Sequence, residues 1–115
     1  MQRVTVGDVE IVALTDGGGP RPATWMFPED ATRALETYRD LLDADGNVVL
    51  NYGCYLLRAD GRTVLVDAGN GPERGGPLLR ELAEAGVAPD DIDLVLFTHL
   101  HGDHTGWNIN RDTGG

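Results

Sequence analysis

The sequence predicts a single α+β domain over residues 1–115, built on a mainly antiparallel or mixed sheet with flanking helices. Three observations support this fold class. The chain opens with a pair of alternating segments, its centre contains further strand-like segments joined by tight turns, and two helical segments separate these strands from one another and from a last short strand.

The first predicted element is a β-hairpin at a sheet edge. Residues 2–6 and 9–14 alternate apolar and polar side chains around the turn dipeptide Gly7-Asp8. Residues 16–22 are rich in glycine and proline and predict a loop. The apolar triplet at 25–27 then has two interpretations, a lid or substrate wall, or a cover for the core where the next helix docks.

A surface helix is predicted from residue 28 to about residue 42. Acidic residues near its start favour the helix dipole. Its apolar residues recur every three or four positions and predict a docked face, made of Leu35, Tyr38, Leu41 and Leu42. Strands at 48–57 and 63–66, joined by the tight turn Ala59-Asp60-Gly61, make the centre of the chain a predicted β-meander.

A second helix is predicted after the loop at 68–76. That loop is rich in glycine but lacks both the P-loop lysine and the GxGxxG spacing, which disfavours nucleotide binding. Pro77 suits a first helical position and Gly86 a residue just past the helix end. The predicted buried face consists of Leu78, Leu79, Leu82 and Ala83. The apolar run at 93–98 predicts a buried strand that delivers His99 to the surface.

The hexapeptide HLHGDH at 99–104 contains all three histidines of the chain. His99 and His101 are two residues apart, so at an extended strand end their side chains leave the backbone on one side and can share a cation. Gly102 permits a turn, after which Asp103 and His104 can point at a second cation. Imidazole and carboxylate donors suit zinc, and manganese, iron or cobalt accept the same donors.

Two segments carry a resemblance to a known family. Residues 98–108, THLHGDHTGWN, resemble the metal-binding signature of the metallo-β-lactamase-fold hydrolases, and residues 64–69, VLVDAG, are similar to an earlier strand-plus-aspartate motif of the same superfamily. The resemblance implies that the chain is the N-terminal half of a four-layer αββα sandwich. Residues 106–108, Gly-Trp-Asn, look most like the lactonase and organophosphate-hydrolase branches.

The resemblance also implies roles for individual residues. His99 and His101 match ligands of a first metal ion, and Asp103 and His104 match ligands of a second, so the complete enzyme would hold two zinc ions. Asp67 matches an aspartate that orients the ligands. Its other interpretation is a turn aspartate that ends a strand.

The implied activity is that of a metal-dependent hydrolase. A metal-activated hydroxide would attack an ester, lactone, amide or phosphoester, and Asp103 would also steer the nucleophile or pass a proton to the leaving group. The family takes further histidine and aspartate ligands from downstream positions, and a chain whose histidines all lie in one hexapeptide is expected to be a truncated, inactive half. The alternatives are an iron-dependent oxidoreductase of the same fold and a non-catalytic metal-binding or assembly module.

Composition restricts the partners. A formal net charge of -10 opposes binding to nucleic acid and to anionic membranes, which leaves a small-molecule substrate. Cys54 is the only cysteine, is expected to pack as a small hydrophobic residue, and allows no intramolecular disulfide. Without a signal-like N-terminal segment, the expected location is cytoplasmic. A half-sandwich would expose an apolar sheet face and form homo-oligomers or aggregates through it.

Overall fold

A computed structural model describes residues 1–109 and 112–114 and contains one mixed sheet with short helices. The strands are β1 (Arg3–Val6), β2 (Val9–Pro22), β3 (Asn47–Ala59), β4 (Arg62–Val66) and β5 (Leu94–Leu96), and the α-helices are α1 (Ala23–Met26), α2 (Ala31–Thr37), α3 (Leu78–Glu84) and α4 (Gly102–Thr105). Single 3₁₀ turns lie at Arg39–Leu41, Pro72–Arg74 and Pro89–Asp91. The α+β class is confirmed. In the part of the chain that the structure describes, every helix is too short or too polar to cross a membrane.

The chain divides into two compact units. One contains residues 1–17 and 52–115, and the other contains residues 18–51. The first unit includes β1, β4, β5, α3 and α4 together with the predicted metal ligands. The second includes α1 and α2.

The sheet has the strand order β1-β2-β3-β4-β5. The predicted opening hairpin is confirmed, because β1 and β2 are antiparallel and β1 lies at the edge. The second hairpin is also confirmed, since β3 and β4 are antiparallel. Asp60 and Gly61 have φ values of 51° and 71° in its turn, as a two-residue turn of the favoured hand requires. Strand β5 joins β4 in parallel, with Val95 opposite Leu65.

The glycine-rich segment at 16–22 is not the predicted loop, because β2 continues through it to Pro22. The three glycines at 17–19 all have positive φ. A Cβ on Gly18 would overlap the carbonyl oxygen of Leu50, so glycine is needed where the two segments come close together. Glycine here permits a close approach of strands instead of ending one.

The helix predicted from 28 to about 42 is shorter. Helix α2 spans Ala31–Thr37, and the backbone leaves the α-helical region at Tyr38 and continues as a 3₁₀ turn. Because the residue spacing per turn changes there, the predicted docked face does not form. Leu35, Tyr38 and Leu41 are exposed.

The apolar triplet at 25–27 does not cover a core within its own unit. Trp25 and Phe27 are both exposed. Simple packing therefore does not explain these side chains, and the lid or substrate wall stays a prediction.

The core lies on one face of the sheet. Val12, Leu14, Cys54, Leu56 and Leu65 pack there with the residues of α3 and the turn after it, namely Leu78, Leu82, Ala85 and Val87. Two residues of the predicted helix face, Leu79 and Ala83, are exposed, because the buried stripe follows 78, 82 and 85. Gly86 has φ 76° and ends the helix as predicted.

The opposite face of the sheet is apolar and exposed. Tyr55, Leu94 and Leu96 are 48 to 49% exposed, and Val4 and Val6 of β1 are more exposed still. The prediction that β5 is a buried strand is therefore wrong for the described residues, since only Val95 of β5 packs against the core. A continuous apolar run indicates two covered faces, and here one of them is open.

Candidate metal centre

The predicted ligands lie where β4 and β5 end. Because these strands are parallel, their carboxyl ends meet at the same edge of the sheet. Asp67 directly follows β4, and its backbone N–H donates to the carbonyl of Leu96, 2.8 Å away. His99 follows β5 by three residues, and α4 carries Asp103 and His104. The fold thus brings both sequence motifs together.

Asp67 is 5% exposed and has φ 61°, a left-handed conformation that aspartate tolerates better than most residues. Its Oδ1 accepts a hydrogen bond from the backbone N–H of Thr98 at 2.8 Å. Its Oδ2 accepts one from the Thr98 hydroxyl at 2.7 Å and lies 2.8 Å from Nδ1 of His104. Burial raises the pKa of Asp67, but the hydrogen bonds from Thr98 and His104 outweigh that effect and hold it below its ordinary value.

The three histidine rings lie together. The ring centroids of His99 and His101 are 4.7 Å apart, and those of His99 and His104 are 3.9 Å apart. Nε2 of His104 lies 3.5 Å from Oδ2 of Asp103. With Nδ1 of His104 facing Asp67, the nitrogen that faces Asp103 is the one available as a ligand.

This donor set fits divalent transition metals, since imidazole nitrogen and carboxylate oxygen are ligands that zinc prefers. Within residues 1–109 and 112–114, however, no three His, Cys, Asp or Glu side chains are arranged to hold one ion between them. His99 and His101 are exposed and Asp103 is partly exposed, so these side chains have room to rotate. The structure brings the predicted ligands to one place without arranging them around a common point.

A short backbone ladder holds α4 against the loop that follows β4. Ala68 N–H donates to the carbonyl of His104 at 2.7 Å, Gly106 N–H to that of Gly69 at 2.8 Å, and Trp107 N–H to that of Ala68 at 2.9 Å. The two segments touch so closely that a Cβ on Gly106 would overlap the backbone of the loop. Gly102, predicted to permit a turn, has φ outside the left-handed region and simply begins α4.

Two residues close to the predicted ligands, Cys54 and Trp107, contribute to the core. Cys54 is buried as predicted, and burial, with a smaller effect of the Asp16 charge, raises the pKa of its thiol to about 12. A thiol that keeps its proton at neutral pH is a poor nucleophile. Trp107 is partly buried and packs against the core.

Sequence reasoning assigned no role to two residues of this region. Thr98 lies in the quoted motif and provides two of the hydrogen bonds to Asp67. Asp16 is buried beside the loop after β4 and accepts hydrogen bonds from Asn70 and Gly71. The signal that could have found Asp16 is the alternation of Val12, Leu14 and Asp16, which places a carboxylate on the buried face of β2.

Known proteins resemble this chain over the region that contains these residues. The family model of the metallo-beta-lactamase superfamily matches residues 47–110, more than half of the chain. A ribonuclease Z from Streptomyces coelicolor is 42% identical over 55 residues, which are 48% of this chain and 16% of the relative. Metallo-beta-lactamase domain-containing protein 1 from Xenopus laevis is 45% identical over 71 residues, covering 62% of this chain and 27% of the relative.

Solved structures show the same fold. The dizinc quorum-quenching lactonase AidC superposes with a TM-score of 0.82 at 27% identity, over 96% of this chain and 40% of the lactonase. The hydrolase AbOPH superposes with a TM-score of 0.72 at 28% identity, over 90% of this chain and 37% of that protein. The chain thus spans less than half the length of these relatives. On the matched motifs and this fold, the chain belongs to the metallo-beta-lactamase superfamily.

Proposed function

We propose that this chain supplies part of the active site of a metal-dependent hydrolase. The observation that carries the proposal is the cluster of three imidazole rings and one carboxylate at the shared end of β4 and β5. The contact of His104 with the buried Asp67 supports it, because a carboxylate that fixes the tautomer of a histidine is a common partner of metal ligands.

His99 and His101 are the residues that would hold one ion, and Asp103 and His104 those that would hold a second. We propose zinc for both, on the donor chemistry. The chemistry that such ions supply when bound is Lewis-acid activation of water and of the bond to be hydrolysed.

The protein residues have separate tasks in this scheme. Asp67 and Thr98 fix the ring of His104 through hydrogen bonds of 2.7 to 2.8 Å. The carboxylate of Asp103 is partly exposed, and in this scheme it accepts a proton from water and returns it to the leaving group. Two half-sites with two ligands each need further ligands, which we propose come from outside the described residues.

The proposed substrate is a small ester, lactone, amide or phosphoester, with a lactone or ester as the first choice. The likeness to the lactonase AidC over nearly the whole chain supports this choice. Some relatives are named ribonuclease Z, but a net charge of -10 opposes binding of the RNA backbone. We further propose a cytoplasmic location, and self-association through the exposed sheet face of β1, β3 and β5.

The test uses the complete gene product that contains these residues, loaded with zinc. Turnover is measured on an N-acyl homoserine lactone, a p-nitrophenyl ester, a phosphotriester and a structured RNA. His101→Ala and Asp103→Asn should each lower turnover of the best small substrate by more than about 100-fold. Loss of a residue that only hydrogen-bonds to a metal ligand lowers activity by about 10- to 100-fold, and loss of the ligand itself should cost more. Both side chains are at the surface, so the far-UV circular dichroism should not change.

Asp45→Asn is the matched control, because Asp45 is an exposed carboxylate in the other compact unit. Its turnover should equal that of the wild type. Unchanged turnover in the His101 and Asp103 variants would show that the cluster is not the active site. Cleavage of RNA alone would overturn the substrate class, and iron with redox activity would favour the oxidoreductase. Metal uptake only on association of chains would favour an assembly module.

A further inference from the structure

Asp16 is a buried carboxylate next to the proposed site. It is 2% exposed. Its Oδ2 accepts hydrogen bonds from the backbone N–H groups of Asn70 at 2.7 Å and Gly71 at 3.1 Å, and its Oδ1 accepts one from the backbone N–H of Leu78 at 2.9 Å. The indole N–H of Trp107 lies 3.2 Å from both oxygens. In the described part of the chain, every hydrogen-bond donor to this carboxylate is a neutral N–H group.

These donors come from three separate segments. Asn70 and Gly71 belong to the loop after β4, Leu78 is the first residue of α3, and Trp107 follows α4 by two residues. The space around the carboxylate is closed as well, because a Cβ on Gly69 or Gly76 would overlap it. Asp16 thus occupies a closely fitted position where three segments meet.

Two of the three segments are those that the backbone ladder joins. The ladder pairs the loop after β4 with the end of α4, and its last bond runs from Trp107 N–H to the carbonyl of Ala68. Asp16 binds the same pair of segments through their other N–H groups, including the indole of Trp107. Any shift between the loop and α4 would therefore break hydrogen bonds to Asp16 as well as bonds of the ladder.

Asp16 is connected by hydrogen bonds to the segment that holds one half of the proposed metal cluster but, in the part of the chain that the structure describes, not to the segment that holds the other half. Asp103 and His104 lie on α4, which the ladder and Trp107 attach to the loop. His99 and His101 follow β5, whose end is attached to Asp67 through Leu96 and Thr98. Among the described residues, none of the hydrogen bonds that Asp16 accepts comes from Asp67, Leu96 or Thr98.

We propose that Asp16 is a positioning residue for the Asp103 and His104 half of the cluster. It fixes α4 against the loop after β4, and so holds His104 within hydrogen-bonding distance of Asp67. This inference rests on the proposed function, since it assigns Asp16 to the same metal centre.

The position requires a carboxylate. Two acceptor oxygens can serve four N–H donors. In Asp16→Asn, one oxygen becomes an NH₂ group that faces N–H donors of the loop or of α3, so at least one donor loses its partner. Trp107→Phe is a milder change, because it removes the indole donor and leaves the carboxylate with its three backbone partners.

The experiment is cobalt(II) titration of the metal-free complete gene product, followed by visible absorption, with zinc affinity measured against a chromogenic chelator. The wild type should take up two ions, and we call the ion at His99 and His101 the first equivalent and the ion at Asp103 and His104 the second. Asp16→Asn should weaken the second equivalent by at least about tenfold and leave the first within about threefold, as expected when a partner that orients a ligand is lost. Trp107→Phe should change the second equivalent in the same direction by a smaller factor.

Leu82→Ala is the matched control for loss of stability. Leu82 is buried in the same core and makes no hydrogen bond to Asp16. Leu82→Ala should lower the unfolding midpoint yet leave both equivalents within about threefold of the wild type. If Asp16→Asn does not fold, Trp107→Phe still decides the question.

Three results would overturn the inference. Two equivalents of unchanged affinity in both the Asp16 and Trp107 variants would refute it and leave the proposed function standing. Loss of the second equivalent in Leu82→Ala as well would show that Asp16 acts only through stability. A wild type that takes up no cobalt would overturn the proposed function and this inference together.

Discussion

Asp67→Asn should destabilise the protein through the altered contact with His104, whether or not the tautomer of His104 changes, and without disturbing the backbone. Asparagine tolerates the left-handed φ of 61° at this position, so the substitution isolates the effect of the carboxylate. The remaining amide oxygen can keep the bond from Thr98 N–H at 2.8 Å. The new NH₂ group then replaces the oxygen that faces Nδ1 of His104.

The size of the effect follows from that one contact. If His104 keeps a proton on Nδ1, two donors face each other at a partly buried contact, which costs about 1 to 3 kcal/mol. If the proton moves to Nε2, a charge-assisted hydrogen bond becomes a neutral one, which costs about 1 kcal/mol. We therefore expect the free energy of unfolding to fall by about 1 to 3 kcal/mol. In the second case the nitrogen facing Asp103 carries the proton and can no longer bind a metal.

The assay is urea unfolding at pH 7 without metal, with the His104 tautomer read from ¹⁵N chemical shifts of the imidazole. Asp93→Asn is the control, because Asp93 is an exposed carboxylate that accepts one backbone hydrogen bond, from Thr63 at 2.8 Å. It should change stability by less than about 0.5 kcal/mol. The reasoning fails if Asp67→Asn is as stable as Asp93→Asn and His104 keeps its wild-type tautomer.

Two further predictions concern residues beside the site. The folded state raises the pKa of Cys54 to about 12 from an ordinary value of 9.0, so stability from the protonated thiol is complete below pH 9 and is lost as the pH rises towards 12. Urea unfolding between pH 8 and pH 11 should show a downward slope with pH that is smaller in Cys54→Ala, and equal slopes would contradict the assignment. Gly106→Ala should lower the free energy of unfolding by more than about 2 kcal/mol because its Cβ would overlap the backbone of Asn70 and Gly71. Gly102→Ala, at the other end of α4, places its Cβ in open space and should be neutral or slightly stabilising. Thermal unfolding of the two variants side by side checks this, and similar midpoints would argue against the close contact.

Local sequence patterns were sufficient to predict the hairpins and the close approach of the histidine side chains. The turn residues Asp60 and Gly61 adopt the positive φ values that their type predicts, and His99 and His101 lie side by side as their spacing in an extended segment predicts. In each case the geometry depends on a few consecutive residues.

Local sequence patterns predicted the wrong structure where burial or backbone conformation depends on distant parts of the chain. The apolar residues of β5 indicated a buried strand, but burial of Leu94 and Leu96 needs a second layer, and the described residues cover one face only. The glycines at 17–19 indicated a loop, whereas Gly18 serves a close approach to Leu50. Helix α2 ends at Thr37 although the apolar spacing continues to Leu42.

The sequence by itself determined the α+β class, the paired strands and the composition of the histidine and aspartate cluster, because these follow from local spacing and side-chain chemistry. Only the tertiary structure decided that Asp67 contacts His104 across 37 positions and that Asp16 accepts an indole hydrogen bond from Trp107 across 91. Such contacts arise when parallel strands end at one edge and separate segments pack around a buried carboxylate. Hydrogen bonds of that kind depend on distances in space, which the order of residues along the chain does not specify.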